Sequence, residues 1–501
     1  MTRFSPRPPR DGSPRSATCE GGGADGLGAE VTTPLDPRAI LRSRNYLGLL
    51  VLAAIIGVPI SATAYGFLAL VTRAQEWIFT TLPRGLGFGS EPLWWPVPML
   101  VLAGVLVALA IRYLPGTGGR SPADGFKAGE GSPSPIQLPG VVLAALATLS
   151  LGVVLGPEAP LIALGGGLGV CAVRLVKRGA PARTSAVVAG AGSFAAISTL
   201  FGSPLLGAFL LMEAAGVAGD TLELLLLPGL LAAGVGSLIF IGLGAWTGLG
   251  TFSLAIGHLP HVGPPNIAEF GWALAIGAAA AVFGSGIRRL ALRLRPQVER
   301  RRLLATPVAG LAVAGLAIAF AAGTGKASSE VLFSGQSALG PLITHSASYS
   351  AAALVLLLAC KGLAYGTALS AFRGGPVFPS MFLGAAGGIA LSHLPGLAPI
   401  AGAAMGIGAM CSVMLRLPLT SVLLATLLLS SDGIAVMPLV IVAVVVAYVL
   451  SARLLPSPAP AGETPPAAGD GGDAGAAAPL PDRRDPSAHQ NRAAEPGVAR
   501  R

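Results

Sequence analysis

Glu158 is the residue whose setting most clearly calls for chemistry. It stands in Gly156-Pro157-Glu158-Ala159-Pro160, and no other charged residue occurs between positions 131 and 173. A carboxylate inside an apolar segment is expensive, so it is read first as functional. Proline is tolerated in the first helical turn, where amides have no intrahelical partner, so the pattern predicts a helix starting near Pro157. The same pattern returns in Gly374-Gly375-Pro376-Val377-Phe378-Pro379, where Pro376, Pro379, Leu383 and Gly384 repeat the spacing of Pro157, Pro160, Leu164 and Gly165. A helix start presents unpaired N–H groups and the positive end of the helix dipole, which favours an anion. Two such ends brought together would form an anion site without any full positive charge. The Glu158 carboxylate would occupy that site when no anion is there and leave on protonation, acting as gate and proton acceptor. The plainer alternative is a first-turn carboxylate stabilised by the dipole. A third candidate helix start is Gly116-Thr117-Gly118, a flexible loop with one hydroxyl donor, for which an ordinary turn is the simpler reading.

The elements that position these residues follow from composition. Of 501 residues, 53% are hydrophobic and 11% charged, against roughly a quarter charged in a soluble domain. More than forty consecutive residues between positions 223 and 269, and again between 373 and 416, carry no Lys, Arg, Asp or Glu. A bilayer-spanning helix needs only about 20 apolar residues. The fold class is therefore an all-α polytopic membrane protein.

Lys+Arg 33 against Asp+Glu 23 gives a net charge of +10. The basic residues gather in short loops, including Lys177, Arg178 and Arg183, and the cluster Arg288, Arg289, Arg293, Arg295, Arg300, Arg301 and Arg302. Such clusters mark cytoplasmic loops. Aromatic residues are 6% and do not interleave with basic stretches, so no nucleic-acid partner is expected. Cys171, Cys360 and Cys411 lie in apolar runs and Cys19 in a polar one, with neither a disulfide framework nor metal-ligand spacing.

Residues 1–43 and 456–501 are rich in Pro and Gly without apolar runs and read as disordered cytoplasmic tails. Between them, 44–455 divides into fourteen apolar segments, several only 14 to 17 residues long and ending at Gly or Pro. Short, interrupted segments in corresponding places of two halves, here about 44–250 and 251–455, point to an inverted repeat with helix ends near the midplane. A second match follows the first in the same order: Gly192, Ala195, Ser198, Pro204 and Leu205 against Gly406, Ala409, Ser412, Pro418 and Leu419.

Taken in order, GTG (116–118), GPEAP (156–160), SPLLGAFLLMEAA (203–215), GGPVFP (374–379) and RLPLTSVLL (416–424) resemble the CLC family of chloride channels and proton-coupled chloride antiporters. The resemblance covers essentially all of 44–455. It implies a homodimer with a separate anion pathway in each subunit, built from tilted, partly broken transmembrane helices in an inverted repeat. It also implies a central anion held by a hydroxyl and backbone amides, with a gating glutamate outside it.

The family's Gly-Ser-Gly-Ile-Pro is similar to Gly116, Thr117 and Gly118, where Thr117 keeps the hydroxyl and Gly119-Arg120 replaces Ile-Pro. Its Gly-Arg-Glu-Gly-Pro is similar to Gly156-Pro157-Glu158-Ala159-Pro160, which keeps the gate at Glu158. Its Gly-x-Phe-x-Pro is matched at Gly375 and Pro379, with Val377 at the Phe position and Phe378 next. Pro376 has no N–H, so the amides of Val377 and Phe378 remain as donors. The expected anion site is thus Gly116, Thr117, Gly118, Gly156, Ala159, Val377 and Phe378.

Two departures concern mechanism. The antiporters' inner proton-relay glutamate is matched by Ala214, while Glu213 is one residue off, about 100° around a helix. The family's late-helix tyrosine has no counterpart beyond Tyr448. The expectation is a channel or weakly coupled transporter of chloride or a similar small anion. An antiporter with a displaced proton route through Glu213 stays open.

An intramembrane enzyme is a remote alternative: Ser193 in GAGSF has no evident base, and Gly and Ser also permit close helix packing. GTGKAS at Gly323 lacks the first glycine of a phosphate loop. His258, His261, His345 and His393 have no partner at metal-ligand spacing, and Trp94 and Trp95 fit an interfacial anchor. No cofactor or metal is expected. The partners are the anion, protons, the lipid bilayer and a second copy. The expected location is the plasma membrane, multi-pass, with both termini cytoplasmic.

Overall fold

The computed structural model describes residues 42–126, 132–176, 179, 181–216, 220–248, 265–429 and 431–454. Residues 1–41 and 456–501 of the expected tails and the segment expected to join the two halves lie outside the described residues, as do His258, His261, Lys177 and Arg178.

Helices follow one another along the described chain. α1 (Arg44–Glu76), α2 (Pro96–Tyr113) and α3 (Leu138–Ser150) lead to α4 (Glu158–Val176), α5 (Ala182–Phe201), α6 (Pro204–Ala215) and α7 (Asp220–Thr247). The remainder is α8 (Ile267–Arg300), α9 (Arg302–Thr324), α10 (Gln336–Thr344), α11 (Ala351–Ala371), α12 (Val377–Leu391), α13 (Pro399–Leu415), α14 (Pro418–Leu428) and α15 (Ser431–Leu454). Among the described residues, nine helices are long and apolar enough to cross a membrane, and α3, α6, α12, α13 and α14 are shorter apolar helices. This is a multi-pass helical membrane protein.

Local chemistry sets the helix boundaries. Ser203 caps α6 by accepting from the Leu206 amide at 3.3 Å, and Asn266 and Glu269 form a reciprocal capping box on α8. Proline opens α6, α13 and α14, where its missing N–H costs nothing. Pro59 lies inside α1, and the Thr63 hydroxyl donates to the Pro59 carbonyl at 2.7 Å. α8 continues through the arginine cluster expected to be a loop, because arginine is a good helix former and only the apolar run stops there. α10, nine residues long, has no counterpart among the expected segments.

The repeat is visible in atomic detail. α4 crosses α5 where Gly165 meets Gly192, and α12 crosses α13 where Gly384 meets Gly406: a Cβ on Gly165 or Gly384 would overlap the facing glycine's carbonyl oxygen. These are the four glycines the two sequence patterns pair. Small residues let helix backbones approach where no hydrophobic force separates protein from lipid. α5 and α13 both end on a left-handed residue, Gly202 at φ 64° and Arg416 at φ 60°, and Pro204 and Pro418 then start α6 and α14. α12 and α13 are almost wholly buried, whereas α1 exposes Leu47, Val51 and Ile55 as a lipid-facing side does.

Lys361, fully buried on α11, is held without a carboxylate. Its Nζ donates to the carbonyls of Glu330, Val331, Leu332 and Phe333 at 2.9, 3.0, 3.0 and 3.3 Å, and lies 4.5 Å from the Phe382 ring centre. Four carbonyls and a ring face replace hydration.

The glycine crossing makes a testable demand. Gly384→Ala should cost about 1–3 kcal/mol by overpacking and lower the melting temperature followed by tryptophan fluorescence. Gly387→Ala, three residues on, meets only Leu358 Cδ2 at 4.0 Å and should melt as the parent does.

Candidate functional site

The two Gly-Pro patterns meet face to face. Gly156 donates to the Gly375 carbonyl at 2.8 Å and Gly375 donates back to Gly156 at 2.6 Å, a two-residue antiparallel bridge between the halves. It pairs non-helical backbone that a membrane interior would otherwise leave unsatisfied. From the bridge each half enters a helix two residues on, α4 at Glu158 and α12 at Val377, so the two helix starts predicted from the prolines are there and adjoin.

Glu158 is completely buried between them. Its Oε1 accepts from the Phe378 amide at 2.8 Å, with the amides of Val377 and of Glu158 itself alongside. Its Oε2 is buried without a hydrogen-bond partner. The carboxylate occupies space that two missing side chains leave: a Cβ on Gly156 would lie 2.5 Å from Oε1, and one on Gly375 would lie 2.6 Å from Cδ and overlap Oε2. The Phe378 ring stacks on Phe201 at 5.8 Å between centroids. Tyr365, fully buried on α11, donates to the Pro376 carbonyl at 2.8 Å and fixes the turn from the other side. Tyr365 was not among the expected site residues, because a tyrosine inside an apolar helix gives no pattern of its own.

A cavity of about 930 Å³ reaches this plug from one face. Gly116, Thr117, Gly118, Ala159, Pro160, Gly374 and Pro376 line it, and Gly156, Glu158, Val377 and Phe378 do not. The expected site residues thus fall into two groups, one sealed around the carboxylate and one on the cavity wall. Gly116, Thr117, Gly118 and Gly119 all have positive φ (85°, 49°, 66° and 91°), so this segment is a tight left-handed turn. It starts no helix beyond the single turn Pro122–Asp124, which corrects the helix-start reading in favour of the ordinary turn. The Gly156 amide is used in the bridge.

The cavity, unlike the seat at the two helix starts, is lined by full charges. Arg120, Arg295, Arg302 and Arg373 line it, against Asp124 and Glu299. Arg373 directly precedes the second Gly-Gly-Pro. In the sequence this arginine marks only where the long uncharged run up to Arg416 begins.

Glu213 lies elsewhere. It does not line the cavity, although its neighbours Leu211 and Ala215 do. Its carboxylate accepts from the Leu419 amide at 2.9 Å, the Thr420 amide at 2.7 Å and the Thr420 hydroxyl at 2.6 Å, capping α14. Ser193 donates to the Ile162 carbonyl at 3.0 Å, across the α4–α5 crossing.

Residues 99–452 match the family described as voltage gated chloride channel. Relatives include a Salmonella schwarzengrund (strain CVM19633) protein provisionally named ion-transport protein YfeO, 31% identical over 367 residues, which cover 70% of this chain and 82% of that protein. Its counterpart from Salmonella choleraesuis (strain SC-B67) is 32% identical over 361 residues, covering 70% and 82%. Among solved structures, a slow cyanobacterial Cl−/H+ antiporter superposes with a TM-score of 0.66 at 20% identity, covering 81% of this chain and 94% of that one. A CLC-type fluoride/proton antiporter gives 0.62 at 20%, covering 81% and 96%. The family match spans more than half of the sequence, carries both halves of the repeat and includes the bridge that joins them. The chain belongs to the voltage-gated chloride channel family, the CLC family.

Proposed function

We propose that this chain carries chloride or a similar small anion across the plasma membrane, with Glu158 as gate and proton acceptor. The observation that carries the reading is the seat of the Glu158 carboxylate. It fills a buried, glycine-walled space at two helix starts and takes the Phe378 amide, the kind of donor an anion would use. A carboxylate there excludes an anion by charge and by volume. A protonated carboxyl is a weaker acceptor and is free to leave.

In this reading Val377 and Phe378 supply amides, and Gly156 supplies room. Ala159, Gly116, Thr117 and Gly118 form the approach. The cavity opens on the face of the basic cluster, which the positive-inside bias makes cytoplasmic, as it does both termini. The family resemblance implies a homodimer. Leu205 and Leu419, equivalent in the two halves and both exposed on α6 and α14, would belong to its apolar interface. Nothing in the reading calls for catalysis of a covalent step.

Coupling to protons is expected to be weak or absent, because Glu213 is committed as the cap of α14 by three donors. The alternative is an antiporter, the activity named for two of the structures this fold resembles.

Chloride efflux and external pH, recorded together on proteoliposomes with potassium and valinomycin setting the voltage, separate these readings. Wild-type efflux should rise as pH falls, with no uphill proton movement. Protons driven uphill by the chloride gradient would establish the antiporter. Glu158→Gln should pass chloride with no pH dependence, and unchanged pH dependence would remove the gate assignment. Gly375→Ala unseats the carboxylate without removing it and should also flatten the pH profile; a wild-type profile would contradict the seat.

A further inference from the structure

Among the features not used by the gate, the arginine at the inner end of the cavity is the most unusual. Arg373 is only 8% exposed, yet it lines the cavity directly before the Gly374-Gly375 turn. Its backbone is fixed by a bond from its amide to the Thr148 hydroxyl at 3.4 Å, and the Gly118 turn wraps its stem. Nε donates to the Thr117 carbonyl at 3.4 Å and Nη1 to the Phe372 carbonyl at 3.2 Å. A guanidinium has five N–H groups, and among the described residues only two of those on Arg373 have a protein acceptor.

The neighbouring acids do not neutralise it. Arg295 hydrogen-bonds both Glu299, at 2.8 Å, and Asp124. Arg302 and Arg373 make no ion pair to a carboxylate among the described residues. Among the described residues, Arg302 and Arg373 thus line the cavity as cations without a carboxylate partner, and Arg373 stands directly before the Gly374-Gly375 turn.

We propose that Arg373 is a second anion-binding site, on the cavity side of the gate, and that it prefers planar oxyanions such as nitrate to chloride. The proposal rests on the anion-transport reading for its purpose but not for its geometry. A guanidinium presents N–H groups in a planar fork that matches two oxygens at once. A halide is a single point of charge and gains the attraction without the second directed bond. Nitrate held there would stand next in line for the Val377 and Phe378 amides when Glu158 leaves.

Titration calorimetry on the purified protein in detergent, at constant ionic strength with a bulky organic anion as the background, tests this with sodium nitrate and sodium chloride as probes. Wild type should bind nitrate more tightly than chloride. Arg373→Gln should weaken nitrate about tenfold or more, as loss of a charge-assisted bidentate contact does. Arg373→Lys keeps the charge and loses the fork, so it should bind chloride as wild type does and lose the preference for nitrate. The lysine variant decides the matter if the glutamine variant does not elute as the native species. Equal nitrate affinity in wild type and Arg373→Gln, or the same nitrate preference in Arg373→Lys, would overturn the proposal. Liposome flux judges the transport reading separately. Nitrate binding at Arg373 with no anion flux would keep the site and remove transport; chloride flux with Arg373→Gln binding nitrate normally would do the reverse.

Discussion

Two glycines exchange hydrogen bonds in the middle of the protein, and the surroundings of Glu158 depend on that exchange. Gly156 and Gly375 pair their backbones and so satisfy the polar groups that a break between helices leaves inside a membrane. The same pairing brings the starts of α4 and α12 together, so amides with no intrahelical partner converge on one small volume. Because neither residue has a Cβ, that volume is large enough for a carboxylate. One local arrangement therefore provides closure, donors and room at once.

The rest of the fold holds that arrangement in place. Gly165 on Gly192 and Gly384 on Gly406 lock each re-starting helix to its successor. Tyr365 ties the Pro376 carbonyl to α11, and Lys361 ties the segment around Val331 to the same helix through carbonyls alone. Phe333 in turn donates from its amide to the Gly152 carbonyl at 3.0 Å, joining second-half chain to the approach to Glu158. Glu213, on α6 of the first half, caps α14 of the second. The halves are thus joined at the bridge and again at this cap.

The inverted repeat could be read from the sequence because proline and glycine act on their own backbone. Pro157 and Pro376 state where helices start, and Gly165 and Gly384 state where backbones touch, whatever surrounds them. Glu158 could be singled out because burying a solitary carboxylate in an apolar run is costly. What could not be read depends on partners distant in sequence. Lys361 is satisfied by carbonyls about thirty residues earlier, and carbonyls carry no side-chain signature. Arg373 lines the cavity only because elements distant in sequence, among them the Thr117 turn, α4, α5 and α8, form the rest of its wall. The Thr117 turn lies on the cavity wall, apart from the Val377 and Phe378 amides with which it was expected to form one site, and four consecutive positive φ angles make it a turn where a helix start was one reading. α8 outlasted its apolar run because charge ends a hydrophobic segment without ending a helix.

The central claim is that the Glu158 carboxylate and a mobile anion compete for one seat. Chloride affinity of the purified protein, measured by calorimetry from pH 8 down to pH 5, tests it without any transport assay. Protonation removes the competing charge, so chloride should bind more tightly as pH falls, and Glu158→Gln should bind tightly with no dependence on pH. A wild-type affinity that stays constant over that range, or a Glu158→Gln protein that retains the wild-type dependence, would show that carboxylate and anion do not share the site.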